Sequence, residues 1–173
     1  MSYLDYIPLY DFESQLEAAF KSYLESHGLK TYIAGDNPET QMERPRVELQ
    51  VMIGPATDHR STHNNEFRPD SFAGQLQVSV ITNVAATSDA NATPTNDGAH
   101  LHAQYRALVR YVLAGLERWL KNDAATVLKY HTVNRLIESG TTPRAQTQDG
   151  YYVSTINYDF HFSIRPESWP SAE

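Results

Sequence analysis

Seven histidines and no cysteine set the terms for any chemistry in this 173-residue chain. Without thiols, disulfide frameworks and thiolate metal sites are excluded, and a metal would need imidazole and carboxylate ligands. The densest set is "DHRSTH", with Asp58, His59 and His63, which could ligate zinc if its loop folded around the ion. A four-residue spacing puts two histidines on one face only in a helix. A segment opened by Gly54-Pro55 does not read as helical, so a solvated loop is the expectation. "HLH" offers His100 and His102, but residues two apart on a helix point in different directions, so both read as surface or first-turn residues of a second helix. His161 lies between Asp159 and Ser163 on one parity of a strand. Neighbours on such a face stand about 7 Å apart, beyond the hydrogen bond that activates a serine, and a solvent- or partner-facing stripe is expected.

Other chemical signatures are missing from the sequence. It contains no G-x-S-x-G elbow, no G-x-G-x-x-G loop, no phosphate cradle and no H-E-x-x-H zinc helix. Asp5, Asp11, Glu13 and Glu17 gather near the start of the first helix, where they favour the positive end of its dipole. "NAT" at 91–93 matches a glycosylation acceptor, but "MSYLDYIPLYDF" lacks the basic and continuously apolar pattern of a signal peptide. The expectation is a protein with no catalytic residues, no cofactor and no metal.

The elements that would position any site follow from periodicity. An aromatic-rich arm, 1–10, precedes a helix that Asp11 can cap and whose Phe12, Leu16, Ala19, Phe20 and Leu24 share one face until Gly28 stops it. Strands are expected at 30–34, at 46–53 (Val47, Leu49, Val51 and Ile53 on one side) and at 74–84 (Leu76, Val78, Val80). Polar loops fill 54–72 and 83–98. A long second helix from His100 or Leu101 to Leu120 carries Leu101, Tyr105, Leu108, Val109, Val112 and Leu116, with Gly115 costing about 1 kcal/mol. A short turn of helix at 122–130 and a strand at 131–140 precede "DGYYVSTINYDFHFSIRP", where Tyr152, Ile156, Tyr158, Phe160, Phe162 and Ile164 share one parity. That last strand would extend about 50 Å, so it should bend or run into a neighbouring subunit.

Helix, three strands, helix, two strands: this order predicts an α+β fold, a mostly antiparallel sheet of about five strands covered on one face by two amphipathic helices. One domain should span 11–166, with a C-terminal tail at 167–173. No apolar run approaches the roughly 20 residues that cross a bilayer, so no membrane contact is expected. The net charge of −7, with basic residues scattered, disfavours nucleic-acid binding through phosphates.

The helix "DFESQLEAAFKSYLESHG", the strands "RPRVELQVMIG" and "FAGQLQVSVITN", the helix "HLHAQYRALVRYVLAGL" and the closing strand together resemble the tail terminator and tail-completion proteins of tailed bacteriophages. The resemblance covers roughly residues 11–165 and rests on element order and texture. It implies a virion structural protein forming a homohexameric ring that caps the tail tube, stops its polymerisation and joins the tail to the head–tail connector protein. Assembly would occur in the host cytoplasm, at the head-proximal end of the tail. DNA would pass through the lumen without specific binding, and an acidic subunit would limit its sticking. Partner contacts are expected from the polar loops and their ends, at His59, Arg60, His63, Arg68, Asn83, Asp89 and Asp97. The alternatives are another neck or head–tail joining component, a small metal-dependent hydrolase using the histidine loop, or a monomeric ligand or inhibitor module.

Overall fold

A computed structural model describes residues 12–57, 71–84, 97–122 and 131–164. The first helix, α1 (Phe12–Ser26), forms because Leu16, Ala19, Phe20, Tyr23 and Leu24 recur at helical spacing, and all five are buried. Gly28, at φ 81°, ends it: Leu29 N–H donates to Leu24 O at 3.1 Å and Gly28 N–H to Glu25 O at 2.9 Å. This pair of bonds satisfies the orphan carbonyls of the last turn, and buried Leu29 packs behind them.

Among the described residues six strands make one sheet: β1 (Thr31–Ile33), β2 (Arg46–Thr57), β3 (Ser71–Asn83), β4 (His131–Thr141), β5 (Ala145–Gln146) and β6 (Tyr151–Ile164). Their spatial order is β1-β2-β3-β6-β4, with β5 also pairing to β6. The fold is α+β as expected and the sheet mostly antiparallel, but β1 runs parallel to β2. Residues 34–45, with a 3-10 turn at Glu39–Gln41, make the crossover that parallel pairing requires. The added strand, β5, continues the line of β4 along β6.

Pairing explains the length of β6. Thirteen consecutive β3 residues, Ser71 to Asn83, partner Ser163 to Tyr151 in unbroken register. The whole length of the strand is thus paired within its own sheet. Irregularities fall on its neighbours, between Ile53 and Ala56 of β2 and at two places in β4, where bulges absorb twist. Both β2 and β3 also continue into the segment read as loop, to Thr57 and from Ser71.

Even positions of β3 and β6 face the helices. Leu76, Val78 and Val80 meet Ile156, Tyr158 and Phe160, with Val47, Leu49 and Val51 of β2 beside them. Odd positions of β3 and β6 (Gln75, Gln77, Ser79, Asn157, Asp159, His161) form a largely polar outer face.

The second helix is two. The helices α2 (Asp97–Ala114) and α3 (Leu116–Asn122) are interrupted at Gly115, where the sequence reading expected only a weak point. A Cβ at Gly115 would lie 2.6 Å from the Tyr23 hydroxyl, and that hydroxyl donates to Val112 O at 2.8 Å, satisfying a carbonyl at the break. The buried apolar side chains of the two helices are Val109, Val112, Leu113, Leu116 and Leu120. Leu101 and Leu108, expected in the core stripe, point outward. The tertiary structure selects a helix face rotated from the one read off the leucines.

Candidate functional site

Among the described residues, two polar centres are buried on opposite sides of the sheet. On the helix side, α2 carries His102 to the end of β3, where the imidazole is 1% exposed. Its Nδ1 lies 2.7 Å from Thr82 Oγ1 and its Nε2 2.9 Å from Ser154 Oγ. A neutral imidazole donates through one nitrogen and accepts through the other, and a hydroxyl can do either, so both bonds are met in either tautomer. The Tyr152 ring packs edge-on at 5.9 Å. Burial, then the charges of Arg144 and Arg106, push the His102 pKa down from 6.5 to about 4. The Ser154–His102 distance is that of a nucleophile and its base, but Ser154 is buried and a hydroxyl, not a carboxylate, stands on the far side of the ring. The arrangement pins α2 to the sheet.

On the outer face, Arg46 stands opposite Ile81, one residue from Thr82, and is also 1% exposed. Its guanidinium forks onto Glu39, Nη2 to Oε2 at 2.5 Å and Nη1 to Oε1 at 3.1 Å, and its Nε donates to Glu48 Oε1 at 2.8 Å. Arg44 joins Glu39 from the other side, donates to Asn83 Oδ1 at 3.1 Å and lies over the Tyr151 ring. Burial raises the Glu39 pKa, but the hydrogen bonds from Arg46 and Arg44 outweigh it and hold the carboxyl below its ordinary value. The crossover segment is therefore riveted to a face that would otherwise be open, which is why Ile81 is buried there.

Glu13 and Glu17 of α1 do more than favour the helix dipole. Beyond Ile33 nothing in β1 covers β2, and there Glu17 Oε1 accepts from Val51 N–H at 2.9 Å and Glu13 Oε1 from Ile53 N–H at 3.1 Å. These bonds cap a sheet edge that would otherwise invite another strand.

An apolar stripe faces away from the core. On α2, Leu101 and Leu108 are each 47% exposed and Tyr111 79%. Leu101, Tyr105 and Leu108 line one wall of a groove of about 410 Å³, with Pro45, Thr82 and Asn83 on the other.

Of the residues expected at partner contacts, Asn83 lies in this groove and holds Arg44, and Asp97 is the first residue of α2. His59, Arg60, His63, Arg68 and Asp89 lie outside the described residues, as do the expected arm and tail and all but Asn122 of the turn of helix expected at 122–130. His161 is exposed on the outer face beside Asp159, which accepts from Gln75 Nε2 at 3.1 Å. His100 is exposed and bonded to Gln104. His102, read as a surface or first-turn residue, is the correction: the helix begins at Asp97, which places it in the second turn on the core side. No group of three or more His, Asp or Glu side chains converges as metal ligands would among the described residues, and no helix there is long and apolar enough to cross a membrane. Comparison with protein-family models and with curated proteins finds no match to this chain.

Proposed function

We propose that the chain is a virion structural protein, the tail terminator of a tailed bacteriophage. It assembles in the host cytoplasm as a homohexameric ring at the head-proximal end of the tail. There it caps the tube, stops its polymerisation and presents a docking surface to the head–tail connector protein, while DNA passes through the lumen unbound.

The observation that carries this reading is the outward stripe of Leu101, Leu108 and Tyr111 on α2, of which Leu101 and Leu108 line the groove. Exposed apolar side chains gathered on one helix beside a concavity suit a protein contact, whereas both buried polar centres are used up in holding the fold together. A ring requires a heterologous contact, in which one patch of each subunit meets a different patch of the next. The α2 stripe supplies one such patch, covered by the adjacent copy. Three features accompany it: the element order that carries the resemblance, the carboxylate-capped edge that discourages uncontrolled strand addition, and the net charge of −7.

The test is made on assembled particles. Density for the chain should form a ring at the junction of head and tail, and L108E or Y111E should leave the subunit folded while removing the ring and the control of tube length. Density anywhere else, or normal tails from both variants, overturns the proposal.

A further inference from the structure

On the other flank of α2 a second pocket has a different chemistry. His102, Arg106 and Arg110 recur every fourth residue and so form one stripe of the helix, while Ala103 and Ala107 leave room between them. Arg144, from the connection between β4 and β5, closes the far side of a cavity of about 360 Å³. It is held there by a 3.2 Å hydrogen bond to Ala99 O and by stacking 4.8 Å from the Tyr152 ring centre. Three guanidinium groups thus line one concavity in a chain whose net charge is −7. One carboxylate, Glu138, pairs with Arg110. Arg106 Nε is buried with no hydrogen-bond partner.

Gathering like charges costs energy, and a buried donor left unbonded costs about 1–3 kcal/mol. Glu138 offsets the first cost at Arg110 alone, and the second has no return among the described residues. A bound oxyanion would offset the gathered charge, because a guanidinium presents its donors in a planar fork that matches carboxylate or phosphate oxygens. We propose that the pocket between α2 and the β4–β5 connection is an oxyanion-binding site. In it Arg106 supplies the hydrogen-bonding fork, and Arg144 and Arg110 supply the field. The oxyanion is a phosphate group or a carboxylate, either free in solution or borne on an acidic side chain of a neighbouring copy. The site is separate from the apolar stripe and does not depend on the ring assignment.

Inorganic phosphate is the probe, with chloride at matched ionic strength as the control. Phosphate at about tenfold above its Kd should raise the Tm saturably by roughly 3–6 °C. The R106Q variant should keep its fold, since Arg106 Nε holds nothing in place, and should weaken phosphate binding at least about tenfold. R106K, which retains the charge and loses the fork, should also weaken it. Two results overturn the proposal: a melting curve in phosphate that matches chloride, or R106K and R106Q binding as the wild type does. Sedimentation then separates the sources. Unchanged mass on phosphate binding marks a free anion, whereas dissociation of an assembly by phosphate or by R106Q marks a carboxylate from the next subunit.

Discussion

The His102 and Arg46 centres lie almost back to back across one sheet, and they bury polarity in opposite ways. Thr82 and Ser154 turn toward the helices, while their chain neighbours Ile81 and Val153, paired with each other, turn toward the crossover segment. Beneath a packed helix, with two arginines nearby, the imidazole is held neutral and takes hydroxyl partners. Beneath a single segment of loop, Arg46 remains charged, because its partner Glu39 keeps contact with water while forking onto the buried guanidinium. The thickness of the cover decides which kind of polar group each face can hold.

Deleting the neutral centre should have the largest effect. H102A leaves a cavity and two buried hydroxyls without partners, and should cost about 3–5 kcal/mol in chemical denaturation. A loss under about 1 kcal/mol would show that α2 does not depend on this attachment.

Acid should separate the two centres in order. The His102 pKa is lowered on folding, so its contribution is complete above 6.5 and is lost as the pH falls toward about 4, by about 3 kcal/mol in all. The Glu39 pKa is also lowered, from an ordinary value of 4.5, so its share is lost only as the pH falls below that value. Stability against pH should therefore decline in two stages, and H102Q should remove the first alone. A single decline starting below 4.5 would contradict the neutral histidine.

The ionic centre should be the more replaceable. R46M fills similar volume without desolvating a charge, and should alter stability by less than about 1.5 kcal/mol in either direction. Loss of more than about 3 kcal/mol would show that the fork onto Glu39 outweighs its desolvation. Salt should distinguish the centres by less still: the Arg46 cluster weakens slightly at high ionic strength and the His102 bonds do not.

Much of the framework was legible because it is written in local periods. The alternation of β2, β3 and β6 and the stripe of α1 with its Gly28 stop identify themselves within a dozen residues. The candidate sites were read less well. The histidines of "DHRSTH" and "HLH" are close together in sequence, whereas the buried His102 finds its partners on two distant strands. One signal was present: Thr82 and Ser154 continue the core-facing parity of Val80 and Ile156, and His102 lies three residues before Tyr105 and seven before Val109. Polar residues at inward positions on three elements mark a buried network. The arginine pocket had no such signal, because Arg144 joins the Arg106–Arg110 stripe only through the path of the connection after β4.

By itself the sequence determined the fold class, the strand faces and the first helix with its end, since each depends on side-chain periodicity and on residues within one or two turns. Only the tertiary structure decided the parallel placement of β1, the break at Gly115, the pairing of β6 along its whole length, and which face of α2 is buried. Those outcomes depend on contacts between residues far apart in the chain, where packing and desolvation select among alternatives that local pattern leaves equal in energy.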